Sequence, residues 1–184
     1  MSDDHKRSLN DPLFTEQELE CLRGCSQYEQ YYKGRRDFET GNCPFCNPDP
    51  KVNTILYDHH GWIAWEVPQN FTTRKSTLAL QLVFFPKRHV RGLTELKNTE
   101  ALGYFEVIGW AQERFKIPGG GIINRFGDMR YNVGTIMHMH ATIMVPNREG
   151  EVVIPLQKST EMWAAHDARM EGFARRYEAG EVPA

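Results

Sequence analysis

The stretch GTIMHMHATIMVP, Gly134 to Pro146, sets two histidines two residues apart inside an otherwise almost wholly apolar run. On a strand, successive side chains point to opposite faces. His138, His140 and Thr142 then share one face, and Met137, Met139, Ala141 and Ile143 share the other. The apolar set suits a core. The polar set has to be accounted for, because a buried polar group without a partner is costly. Alternation alone is met equally well by two histidines on a solvated sheet face.

Outward from this run, NTILYD (53–58), WIAWEV (62–67), TLALQLVFF (77–85) and GGGIINRF (119–126) read as further strands. Leu93 to Phe115 has a helical pattern that starts near Thr94 or Asn98. A last helix follows Pro155, roughly Ser159 to Tyr177, with Ser159 and Thr160 as cap candidates. A first helix spans Thr15 to Tyr32, where Thr15 is an N-cap and Glu18 completes a capping box. The order helix, strands, helix, strands, helix predicts an α+β unit, an antiparallel sheet with helices packed on one face. The expected organisation is one domain over 1–184: a helical extension (1–40), a motif-bearing core (41–146), and a C-terminal strand and helix (147–184).

At 184 residues, with 40% hydrophobic and 25% charged side chains, the chain is an ordinary globular length and composition. Its net charge of -2 gives no basic excess, so nucleic acid is not an expected partner. The start, MSDDHKRSLNDPLF, has no apolar core, so no signal peptide is expected. No apolar run reaches membrane-spanning length. With four cysteines and no secretory signal, we expect a reducing, cytoplasmic setting, where Cys-x-x-Cys is more often a metal or redox site than a disulfide.

CPFC, Cys43 to Cys46, is such a pair, because the intervening turn brings both sulfurs to one point. A redox pair or two buried thiols would look the same. Any further ligands must come from elsewhere in the chain, since His59 and His60 in YDHHGW read as a turn between strands. Cys21 and Cys25 read as small buried residues on a helix. In LVFFPKRHVRGLTEL an apolar strand runs into Pro86, and His89 stands where strand gives way to loop, a usual place for a functional side chain. Lys87 and Arg88 beside it read as solvated.

Together FFPKRH, the LTEL a few residues later, and the Gly-Thr-Ile-Met-His-Met-His run resemble the histidine-triad superfamily over roughly Cys43 to Pro146. The third histidine of the triad is Thr142 here. That departure is closer to the galactose-1-phosphate uridylyltransferase and dinucleoside-tetraphosphate phosphorylase branches, which keep two histidines and carry a glutamine third. The resemblance implies a structural zinc held by Cys43, Cys46, His89 and His138, with His140 as nucleophile and Thr142 beside it. It further implies Asn124 near phosphate or ribose, and a homodimer. From their residue types Thr135 could hydrogen-bond a phosphate oxygen and Arg125 and Arg130 could offset phosphate charge, although the two arginines read first as ordinary exposed residues. GGG at Gly119 to Gly121 is not a phosphate loop, because no helix start follows it.

The chemistry follows from the residue types. A neutral imidazole attacks the α-phosphorus of a nucleotide and leaves a nucleotidyl-histidine, which water or a second phosphate then releases. An acceptor on the other ring nitrogen would fix the tautomer. The expected function is nucleotidyl transfer or hydrolysis on a nucleoside diphosphate derivative or dinucleoside polyphosphate. The alternative is a zinc-containing nucleotide-binding or scaffold protein of the same fold without turnover.

Overall fold

The computed structural model describes residues 43–67, 77–134, 136–154 and 156–181. The helix expected at Thr15 to Tyr32, with Cys21 and Cys25, lies outside the described residues, as does Thr135. Among the described residues five strands are formed: β1 (Ile55–His59), β2 (Trp62–Glu66), β3 (Leu78–Pro86), β4 (Gly121–Arg125) and β5 (His140–Pro146). Among the same residues are two α-helices, α1 (Asn98–Phe115) and α2 (Thr160–Glu178), and a 3-10 turn at Leu93–Glu95. The sheet is antiparallel throughout, in the order β1-β2-β3-β5-β4. The α+β architecture is therefore the expected one, and it puts the histidine-bearing strand inside the sheet.

Local chemistry explains the punctuation. β1 and β2 are joined through His60 and Gly61, both at positive φ (51° and 78°), as a two-residue hairpin turn requires. Of the expected turn pair only His60 serves the turn; His59 is the last residue of β1, opposite Trp62. In α1 the buried positions are Glu100, Gly103, Val107 and Ala111, one stripe at helical spacing. Gly103 is needed there: a Cβ would lie 2.5 Å from the His60 carbonyl oxygen and 2.7 Å from Trp62. The missing side chain lets α1 dock directly on the β1–β2 hairpin, where the Trp62 indole donates to the Glu100 carbonyl at 2.7 Å. Ser159 caps α2, its hydroxyl accepting from the Met162 amide at 3.3 Å.

The strand registers sort every side chain to a face. Ala64, Phe84, Ala141 and Asn124 form one row across the sheet. With Trp62, Leu82, Met139 and Ile143 they belong to the face that α1 covers. Trp65, Val83, Thr142 and Ile123 form a row on the opposite face. That face is also buried. The CPFC segment folds over it, and Cys43 and Phe45 pack with Ile63, Trp65, Val83 and Phe85. This excludes the solvated-face reading of the histidine pair: His138, His140 and Thr142 are all buried. Coverage on both faces also explains why LVFFP, Leu82 to Pro86, is buried at every position.

Two boundaries differ from expectation. β5 begins at His140 and not at Thr135, and residues 136–138 are bends. Its pairing with β3 stops at Phe84–Ala141, just short of Pro86, which has no N–H for a ladder. Beyond that point the Met139 amide donates instead to the Val90 carbonyl at 2.7 Å. The C-terminal strand expected within 147–184 is absent from 147–154. There the Asn147 side chain accepts from the Glu149 amide, and Arg148, at φ 69°, turns the chain off the sheet.

Candidate functional site

At the end of β3, three chain segments deliver four donors to one point. The turn at 43–46 supplies two sulfurs, the loop after Pro86 supplies His89, and the approach to β5 supplies His138. The Cys43 sulfur lies 3.4 Å from His138 Nδ1, and the Cys46 sulfur 3.5 Å from His89 Nδ1 and 3.7 Å from His138 Nδ1. All four donor atoms lie within 4.8 Å of one another. For bonds of about 2.3 Å to sulfur and 2.1 Å to nitrogen, a tetrahedral ion holds neighbouring sulfur and nitrogen donors about 3.6 Å apart. The three measured separations bracket that value. These residues could hold one metal ion in a closed S₂N₂ site.

The surroundings prepare the donors. His138 Nε2 donates to the Pro86 carbonyl at 3.0 Å, so its Nδ1 keeps the lone pair that a metal needs. The Cys46 thiol, and then the neighbouring imidazoles of His138 and His89, hold the Cys43 thiol far below its ordinary range against the opposing effect of burial. Burial keeps His138 below its usual value, hence a neutral ligand. Phe45, between the two cysteines, stacks on Phe85 with ring centroids 4.0 Å apart. Its edge also reaches the rings of His138 (5.7 Å) and His140 (5.3 Å).

His140 starts β5 on the same face. Its Nδ1 is 2.7 Å from the His138 carbonyl oxygen, which can only accept. The proton therefore sits on Nδ1, and Nε2 is left with a lone pair. Burial pushes the ring's pKa down to about 4, the bond to the carbonyl offsetting this only in part, and the positive charge of Arg125 pushes the same way. Near neutral pH the ring is uncharged, with its tautomer fixed. Arg125 is its direct cross-strand neighbour on β4, and Thr142 stands between Val83 and Ile123.

Not every expected residue joins this group. Asn124 pairs with Ala141 and so belongs to the α1 face, where its side-chain amide donates to the Tyr104 hydroxyl at 2.9 Å. The register separates it from His140. Arg130 forks onto Asp128, with its Nε 2.9 Å and Nη2 2.5 Å from the carboxylate. Arg88 is not solvated: its Nε and Nη2 grip Glu100 at 3.0 and 2.7 Å, and Nη2 also donates to the Glu95 carbonyl at 2.6 Å. Lys87 pairs with Asp58 at the surface.

Sequence reasoning missed four contributors. Phe45 had a signal, an aromatic inside the cysteine pair. The Pro86 carbonyl had none, being backbone. Arg91 and Asn132 come from separate loops to line, with Arg125, Phe126, Ile136 and His138, a shallow cleft open to solvent. Nothing in their sequence spacing connects them.

No protein-family model and no curated protein matches the chain. Several solved structures are similar to part of it. A HIT family hydrolase from Clostridium thermocellum is 20% identical, with a TM-score of 0.46 over 61% of this chain and 97% of that one. A histidine triad nucleotide-binding protein from Candida albicans is 16% identical, with a TM-score of 0.45 over 73% and 99%. A Zn-bound histidine triad family protein from Mycobacterium smegmatis is 19% identical, with a TM-score of 0.42 over 72% and 98%. The functional reading of the chain stands on the side chains of its site.

Proposed function

We propose that this chain is a zinc-stabilised nucleotidyltransferase or nucleotide hydrolase that cleaves phosphoanhydrides through His140. The observation that carries the reading is the 2.7 Å bond from His140 Nδ1 to the His138 carbonyl, in a site whose burial keeps the ring neutral. His140 Nε2 attacks the α-phosphorus of a nucleoside diphosphate derivative or dinucleoside polyphosphate. The phosphorus–nitrogen bond forms as the bond to the bridging oxygen breaks, and the leaving phosphate departs with that electron pair. Water or a second phosphate then attacks the same phosphorus, and the histidine is released. Arg125, across the strand pair from His140, offsets charge on the phosphoryl oxygens. The hydroxyl of Thr142 donates to one of them. Thr135 is a candidate for another, and Asn124 acts by holding β4 against Tyr104 and not by touching phosphate.

Bound at Cys43, Cys46, His89 and His138, zinc would supply cross-linking, tying the CPFC turn and the loop after β3 to the start of β5. With all four positions taken by protein, no coordination site is left for substrate. The thiolate pair suits a reducing, cytoplasmic setting.

A second reading, nucleotide binding without turnover, is favoured by one observation: His140 and Thr142 are each only 6% exposed, and Phe45 lies edge-on to His140. A screen of nucleotide conjugates with product analysis separates the two. Turnover that disappears in His140→Ala, with a phosphoramidate trapped on His140 by alkaline quench, supports the enzyme. Binding of a conjugate that is never consumed, whatever the acceptor, supports the binder.

A further inference from the structure

Between the end of β4 and the start of β5, one buried side chain holds the connecting loop in shape. Asn132 donates from Nδ2 to the Phe126 carbonyl at 2.7 Å, and its Oδ1 accepts from the Gly134 amide at 2.8 Å. It thereby ties the first residue after Arg125 to the segment that leads into His138 and His140. The flanks are already fixed, since the Gly127 amide donates to the Arg91 carbonyl and the Met139 amide to the Val90 carbonyl. Only the middle of the loop depends on Asn132.

That middle is strained. Val133 is buried at φ 41°, a left-handed conformation that a β-branched residue strongly resists. A bond from its amide to the Met129 carbonyl at 2.8 Å helps to hold it there. Gly134 is fitted to the clamp, because a Cβ at that position would lie 2.8 Å from Asn132 Oδ1. A strained backbone beside a cleft persists only where surrounding contacts over-determine it. Here the cleft is the one that Asn132 lines with Arg91 and Arg125, and His138 forms part of its wall.

We propose that Asn132 is a positioning residue for nucleotidyl transfer. It holds the turn through Val133 in the shape that seats the reacting phosphate between Arg125 and His140. The inference rests on the phosphoryl-transfer reading above and adds a device to it: the loop is set by one amide side chain working against backbone strain. Without Asn132 the valine relaxes out of the left-handed region, and the phosphate seat goes with it.

The test compares wild type, Asn132→Ala and Asn132→Ala/Val133→Gly with diadenosine tetraphosphate and uridine diphosphate glucose, well below every melting temperature. Glycine adopts positive φ at no steric cost, so it should keep the turn without the clamp. Asn132→Ala should lose about tenfold to a hundredfold in kcat at wild-type metal content, and the double variant should recover most of that loss. A merely structural asparagine would lower the melting temperature and leave kcat alone. Wild-type kcat in Asn132→Ala, or no recovery in the double variant, overturns this inference while leaving the nucleotidyl reading intact. A wild-type protein that consumes neither conjugate, nor any other in the screen, overturns both.

Discussion

Removing His89 gives the sharpest test of the metal site, because its cost can be worked from the geometry. The donors already stand 3.4 to 3.7 Å apart, close to tetrahedral edges, so little rearrangement opposes binding. Structural zinc sites of this type supply about 10–16 kcal/mol of apparent binding free energy. One ligand in four then accounts for about 3 kcal/mol, or about a hundredfold or more in affinity. In a chain of 184 residues that corresponds to a fall of about 6–12 °C in Tm. The sheet itself should survive, because Phe45, Ile63, Trp65, Val83 and Phe85 still bury one another without the ion. The assay is elemental analysis of protein purified without chelator, zinc competition against a chromophoric chelator, and calorimetry with and without EDTA. Wild type should hold one zinc per chain and lose stability in EDTA. His89→Ala and Cys43→Ser should bind zinc about a hundredfold more weakly in the chelator competition and give it up at lower EDTA than wild type. Zinc-free wild type, or identical melting curves in EDTA, would refute the site.

Thr142→Val should slow turnover about tenfold to a thousandfold through one lost transition-state hydrogen bond. Its Tm should not fall, since the new methyl packs between Val83 and Ile123; full activity in kinetic assays would remove Thr142 from the site. With no histidine at 142 to protonate an amine, dinucleoside polyphosphates should be turned over faster than nucleoside phosphoramidates, and the reverse order would sink that argument. Gly103→Ala should destabilise by about 1–3 kcal/mol in chemical denaturation, because α1 must lift off the His60 carbonyl; an unchanged midpoint would refute the close docking. Burial pushes the Glu100 carboxyl up, but hydrogen bonds from Arg88 and from the Lys97 amide outweigh this and leave it below its ordinary 4.5. A depressed folded-state pKa means the pair stabilises above about pH 4.5 and loses that contribution as acid protonates Glu100. Glu100→Gln should therefore flatten Tm against pH below 4.5, and an acid limb as steep as wild type would rule the pair out as its cause.

Period and punctuation were enough to place the strands and α1 from sequence. The clearest cases are a turn within YDHHGW and a helix ending at Phe115, where local spacing decides the outcome. The metal cluster was legible for a different reason. Cysteine pairs and histidines at strand ends have few chemical uses, and their order along the chain matched the motif. What stayed hidden was set by pairing partners distant in sequence. Asn124 reads as a polar residue in a strand, and only its register opposite Ala141 sends it to the α1 face. Arg88 reads as a surface charge until α1 brings Glu100 beside it. The early end of the β3–β5 ladder could have been anticipated from Pro86, but not where the chain would find its next acceptor, at Val90.

The two histidines of the opening stretch then have distinct duties that follow from one geometric fact. Two residues apart and facing the same side, they cannot both reach one ion and one substrate. The β4–β5 ladder ends at His140, between the two, and the proposed roles follow that division. His138 lies past its end, where the bend aims the ring at two sulfurs and at the Pro86 carbonyl. His140 lies within the sheet, opposite Arg125, with its Nδ1 proton committed to the carbonyl of His138 itself. The backbone of the proposed metal ligand thus fixes the tautomer of the proposed nucleophile. Loss of zinc should consequently reach His140 through that carbonyl, without any contact between metal and substrate. Zinc-depleted protein should show a disturbed His140 ring by ¹⁵N NMR, with Nδ1 no longer the sole protonated nitrogen. An unchanged Nδ1–H tautomer after zinc removal would break the link between the two halves of the site.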